Sequence, residues 1–201
     1  MALPCARSPG EVKHARDLVR PLVAAAAVIG LTITAATADE GTVQASAKLN
    51  GFHEVTPKLT DGTGTFSATI QGNQLTYTLT YSHLSTPAFM AHIHFAQAGV
   101  NGGIFIWLCG SAQAPGPAGT PTCPPGGGKV GPRTITAADV VAIPPTSGNP
   151  PVNTDQGVSA KDFAGAVRIL QSGDAYANIH TTRYPGGEIR GQIKTDTERS
   201  G

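Results

Sequence analysis

A chain of 201 residues carries 14 Lys and Arg against 13 Asp and Glu, a formal net charge of +1, with 25 Gly and 16 Pro. A charge so evenly balanced, with no basic patch and no polybasic run, excludes nucleic acid and anionic lipid as natural partners. Frequent Thr, Ile and Val, scarce helical periodicity and concentrated Gly and Pro point to an all-β fold with long loops.

At the N-terminus, Arg7, Lys13, Arg16 and Arg20 precede an uncharged run from Pro21 to Ala38, which ends in Ala36-Thr37-Ala38 before Asp39-Glu40. A basic start, an apolar middle and small residues at the −3 and −1 positions are what signal peptidase reads. Residues 1–38 are therefore expected to be a cleaved signal peptide, and 39–201 a single secreted, extracellular or periplasmic domain. The alternative is a retained anchor, but 18 residues diluted by threonine are short for a span of about 20. No other apolar run is long enough to cross a membrane, so no membrane contact is expected after cleavage. The leader removes four basic and two acidic residues, leaving 10 Lys and Arg against 11 Asp and Glu.

Val43, Ala45, Ala47 and Leu49 alternate with polar residues and read as a half-buried strand. The alternation returns at Phe66, Ala68 and Ile70 and at Leu75, Tyr77, Leu79 and Tyr81. Gly72-Asn73 between them supplies the positive φ angles of a hairpin turn. Ala91–Phe95 is a short strand, and Ile104–Leu108, apolar on both faces, is a covered one. From Gly110 to Arg133 the chain is dominated by Pro, Gly, Ala and Thr, and residues 144–157 are again loop, so about 110–157 reads as a long Pro/Gly-rich loop. Cys5 leaves with the leader, and Cys109 and Cys123 remain. Two cysteines in an exported chain form one disulfide, and their spacing fits neither C-x-x-C nor a zinc pattern. Thr136–Asp139 resembles a helix start. Ser159-Ala160-Lys161-Asp162 opens an amphipathic helix of Phe163, Ala166, Val167 and Leu170, stopped near Gly173.

The last element is a hairpin of Tyr176–Thr181 and Glu188–Lys194 around Pro185-Gly186-Gly187. Only a pairing of Ile179 with Ile189 buries both apolar sets, because a one-residue slip turns one set outward. That register sets Asn178 opposite Arg190 and His180 opposite Glu188, both pairs on the face away from the core.

Four blocks carry a resemblance. Ala47–Val55, with Gly51 and Glu54, looks like an A-x-L-x-G-x-x-E-V opening. Ala91-His92-Ile93-His94 followed by Gly99-Val100-Asn101-Gly102 resembles A-H-I-H…G-x-N-G. Tyr176–Thr181 resembles Y-x-N-x-H-T, and Pro185–Ile193 resembles P-x-G-E-I-R-G-Q-I, with Arg190 and Gly191 inside it. In this order they resemble the CHRD (chordin-type) domain over about residues 43–194. The resemblance implies a single-domain secreted protein of the bacterial type, whose biochemical activity the family leaves unestablished. It departs from the pattern at Thr56-Pro57, where two prolines are typical, and in its long loop with its own cysteines. The implied architecture is a Greek-key β-sandwich or flattened barrel, immunoglobulin- or dismutase-like, with one or two short helices.

Chemistry concentrates in the histidines. His92 and His94, two apart on a strand, project from one face and can share a metal ion. His180, with Glu188 beside it, completes a His-rich set suited to zinc or copper. The H-x-H strand faintly resembles copper–zinc superoxide dismutase, whose further His and Asp ligands have no counterpart here. The competing reading is structural: a buried polar network in which Glu54, Asn178, Arg190 and Gly191 lock the hairpin, each cross-strand pair contributing roughly 0.2–1 kcal/mol. His53 and His83 are isolated loop residues. No nucleophile elbow, zinc-protease helix, Walker loop or dinucleotide fingerprint occurs, so no catalytic residue is assigned. The expected function is a non-enzymatic extracellular binding or structural module with an unknown extracellular protein or ligand as partner. The alternative is a metalloprotein with redox or hydrolytic chemistry.

Overall fold

The computed structural model describes residues 41–143 and 156–197. The cleavage site expected after Ala38, and the loop stretch beginning at Pro144-Pro145, lie outside these residues. Within them, nine strands form one antiparallel sheet: β1 (Val43–Asn50), β2 (Thr63–Gln71), β3 (Gln74–Ser82), β4 (Ala88–Phe95), β5 (Gly103–Cys109), β6 (Gly128–Ile135), β7 (Ala175–Thr181), β8 (Ile189–Gln192) and β9 (Lys194–Thr197). One helix, α1 (Phe163–Ser172), and two single 3-10 turns, Gly51–His53 and Ala137–Asp139, accompany them. The strand order is β5-β4-β7-β8-β1-β2-β3-β6, with β9 also pairing β1.

The sheet curls until its two ends face each other. The Tyr77 hydroxyl on β3 donates to the Leu108 carbonyl on β5. The Cys109–Cys123 disulfide joins the end of β5 to the segment that leads into β6. The result is a nearly closed, flattened barrel, which removes most of the exposed strand edge. Strand alternation fills its interior with Leu49, Phe66, Leu79, Ile93, Ile179 and Ile189, and small residues such as Ala45, Ala91 and Ala177 sit among them. Fully burying a Leu, Ile or Phe side chain is worth about 1.5–3 kcal/mol, so this face fixes the register.

The β2–β3 hairpin closes with Gln71 opposite Gln74. Only Gly72, at φ +53°, takes a positive φ there, and Asn73 does not. The turn therefore follows the pattern with glycine at its first central position, not the one that needs two positive angles. The final hairpin has the expected register, with Asn178 opposite Arg190 and Ile179 opposite Ile189. Its second strand is broken, however. The Ile193 amide donates to the Ala175 carbonyl, and beyond it the chain leaves β7 and pairs as β9 with β1. Gly191 is needed where β8 meets β1, because a Cβ there would sit 2.3 Å from the Lys48 carbonyl oxygen.

Three further features differ from the sequence expectation. The stretch read as loop up to Arg133 contains β6, an edge strand laid on β3 from Tyr81–Gly128 to Leu75–Ile135. Its Pro132 lies where the register breaks between Tyr77 and Leu79, a place where a ladder tolerates a missing N–H. The helix cap is Asp162 and not Ser159: the Asp162 carboxylate accepts from the Gly165 amide at 2.8 Å. The helix ends as expected at Gly173, in the left-handed conformation. Finally, the face of β7 expected to lie away from the core is also covered. All seven β7 residues are buried, including Tyr176, Asn178 and His180.

Candidate metal centre

The strand order β5-β4-β7-β8 places a second, polar face on the side of the sheet opposite the apolar core. Directly opposed residues share a face, so β4 contributes His92 and His94, β7 contributes Tyr176, Asn178 and His180, and β8 contributes Arg190 and Gln192. A loop closes over them. Arg190 donates to the Asn101 side-chain oxygen at 3.1 Å and to the carbonyls of Gln97 and Val100. Gln192 donates to the Ala96 carbonyl at 2.9 Å. The Arg190 guanidinium also lies 3.3 Å from the centre of the Tyr176 ring, and Tyr176 stacks on His94 at 4.6 Å. Three of the four sequence blocks therefore meet on this one face, and Glu54 of the first reaches it through Asn178.

One ring nitrogen from each of His92, His94 and His180 lies within 4.8 Å of the other two. His92 Nδ1 is 3.2 Å from His180 Nε2. The backbone sets two of the tautomers. His94 Nδ1 lies 2.9 Å from the Gly102 carbonyl and His180 Nδ1 lies 2.8 Å from the Pro185 carbonyl. A carbonyl only accepts, so both Nδ1 atoms carry the hydrogen and both Nε2 atoms present a lone pair. Nε2 of His94 and Nε2 of His92 are buried without a partner. Burial, aided by the neighbouring histidines, pushes His92 down to about 2. It likewise pushes His94 and His180 down to about 4 each, against which the carbonyl hydrogen bonds act. All three rings are neutral at physiological pH, the form that ligates a metal.

Ligands at about 2.0–2.1 Å from one ion stand roughly 3.3 Å apart in tetrahedral geometry, so the His92–His180 pair has that spacing already. The third ring, within 4.8 Å of the other two, must close by up to about 1.5 Å to join them. The carbonyls of Gly102 and Pro185 hold the rings from behind, as outer partners of ligating histidines do.

Glu188, expected beside His180, is not brought to the histidines. Its carboxylate accepts from the Thr60 hydroxyl (2.6 Å), the Ser85 amide (2.7 Å), the Ser85 hydroxyl (2.8 Å) and the Thr181 hydroxyl (2.7 Å). Burial pushes its pKa up, but these bonds outweigh it and hold the carboxyl below the ordinary range. Both oxygens are occupied in tying the Thr60–Ser85 region to the hairpin. Asn178, directly opposite His92, is likewise engaged elsewhere and donates to Glu54. A Cβ on Gly187 would come 2.5 Å from Asn178 Nδ2 and 2.6 Å from Glu54 Oε1, so the turn glycine makes room for that bond. Glu54 itself is pushed up to about 7 by burial, against the pull of Arg190 and Lys58. His83 is exposed, and His53 caps nothing at the triad; its Nδ1 lies 3.2 Å from the Arg190 carbonyl. Trp107 sets its ring edge-on to His92 at 4.2 Å and so forms a wall of the site.

A groove of about 1020 Å³ lies over the outer side of β1 and β2, beside Phe52, Val55 and Glu54; Arg190 and Gln192 border it, and none of the three histidines does. The family model of the CHRD domain matches residues 45–193. No curated protein and no solved structure matches the chain.

Proposed function

The chain belongs to the CHRD family, and from that premise we propose that it is an exported, non-enzymatic module whose buried histidine triad holds one metal ion, zinc or copper. The observation that carries this reading is the buried, unpartnered Nε2 of His94, left as a bare lone pair by the Gly102 carbonyl, in a set that converges with Nε2 of His180 and Nδ1 of His92. Buried polar atoms are ordinarily satisfied, and lone pairs left bare in a converging set are explained by a cation. Enclosure by Trp107, Tyr176 and Phe89 favours holding an ion over turning over a substrate. Export is supported by the leader pattern and by the Cys109–Cys123 disulfide. Among the described residues no helix is long and apolar enough to cross a membrane.

The test is metal content. Untagged protein is unfolded with chelator, refolded with zinc or copper, and dialysed. One ion per chain is expected in the native sequence and less than a tenth of that in His180→Ala. A second reading has its own observation, the 3.2 Å contact of His92 with His180, which a ring-to-ring hydrogen bond also satisfies. Under that reading the refolded protein retains no metal, or the variant retains as much as the native protein.

A further inference from the structure

The face that carries the triad continues one step further along β4. Met90, His92 and His94 occupy alternate positions there, so their side chains project from the same side. Met90 pairs directly with His180. A register shift between Ala88 and Met90 sets two β4 residues, Phe89 and Met90, against the single His180. Phe89 follows the same side, its ring 6.3 Å from the His180 ring. Cross-strand partners hold their Cβ atoms about 4.5–5.5 Å apart, within reach of a side chain as long as methionine. Met90 is half-buried.

Resting on the metal reading above, we infer that the site is selective for cuprous copper, with the Met90 sulfur as its fourth donor. Charge is the first reason. Among the described residues the cluster of His, Cys, Asp and Glu donors consists of the three histidines alone, all uncharged ligands. Glu188 and Glu54 are engaged elsewhere. Arg190 stacks over Tyr176, which stacks on His94, and its positive charge presses on that ring. The penalty for burying an ion grows with the square of its charge, so a monovalent ion meets about one quarter of the penalty of a divalent one in the same cavity. Softness is the second reason. Thioether sulfur with imidazole nitrogen suits cuprous copper, and zinc takes thiolate, imidazole or carboxylate in preference to a thioether.

The test uses untagged protein with its disulfide intact, cuprous ion kept reduced with ascorbate, and zinc in parallel, each against a chromophoric chelator. The native protein is expected to bind one cuprous ion with a sulfur scatterer in the first shell by X-ray absorption. Met90→Leu keeps the packing volume. It is expected to lose that scatterer and weaken cuprous binding at least tenfold, with zinc binding unchanged. Equal cuprous affinity in the two proteins, with nitrogen scatterers only, overturns the role of Met90 and leaves the triad standing. Failure of the native protein to bind either ion, or binding that survives His92→Ala, overturns both the role of Met90 and the metal reading on which it rests.

Discussion

Glu54 is the residue in which burial and chemistry are most clearly opposed. It is 4% exposed and hydrogen-bonded by Asn178, with Arg190 near enough to draw its pKa down, yet burial holds that pKa at about 7 against an ordinary 4.5. The folded protein therefore binds a proton that the unfolded chain has released between these two values. Stability contributed by the neutral acid is full below about pH 4.5 and is lost as pH rises through 7, at no more than about 1.4 kcal/mol per pH unit. Glu54→Gln keeps an oxygen to accept from Asn178 and cannot ionise. The variant should gain on the native protein between pH 5 and pH 7.5 when urea midpoints are compared at the two values. A gap that stays constant with pH would show that Glu54 is not held neutral. The sequence marked Glu54 as part of a motif, but not its partner, because Asn178 lies 124 positions away and reaches it only through the fold. Glu188 teaches the same lesson in reverse. Its place at the hairpin was legible, and the hydroxyls that claim it, Thr60 and Ser85, come from a remote segment with no pattern of its own.

At the scale of elements, alternation was a dependable guide wherever one face was apolar. Ile179 and Ile189 dictate the β7–β8 register, and the same logic places β1, β2 and β3. Alternation says which residues share a face and not what covers it, so the burial of Asn178 and His180, and the Ala96–Gly102 loop that closes over Arg190, were hidden. β6 was hidden for a related reason. Its Gly- and Pro-rich sequence has little strand propensity, and it is a strand because β3 offers an unpaired edge. The disulfide belongs to this scale as well. Both cysteines lie within the core cluster, deeper than a staple on a surface loop. Replacing both with Ala removes the closure of a loop of about 15 residues, worth roughly 3 kcal/mol in the chain-entropy model. Chemical denaturation should show a loss of that order, with the far-ultraviolet signature of the sheet retained. A loss of the folded state altogether would mean that the link sets the barrel's closure and does not merely reinforce it.

Over the whole molecule, the four sequence blocks are distributed along the chain from Ala47 to Ile193 and come together only when β4, β7, β8 and β1 pair side by side. A metal ion that bridges β4 and β7 therefore binds the folded state alone and must stabilise the fold as a unit. At an ion concentration 100 times the Kd this amounts to about 2.7 kcal/mol. For a domain of this size that corresponds to a rise in Tm of roughly 5–10 °C. Removing a buried imidazole also weakens packing, so the absolute Tm of a variant does not separate a ligand from a packed ring. The change on adding metal does. The most direct measurement is the difference in Tm between metal-loaded and chelator-treated protein, for the native sequence and for His92→Ala. The account predicts a rise of several degrees on metal loading in the native protein and none in the variant, whatever the variant's own Tm. An equal shift in both, or no shift in the native protein, would contradict it.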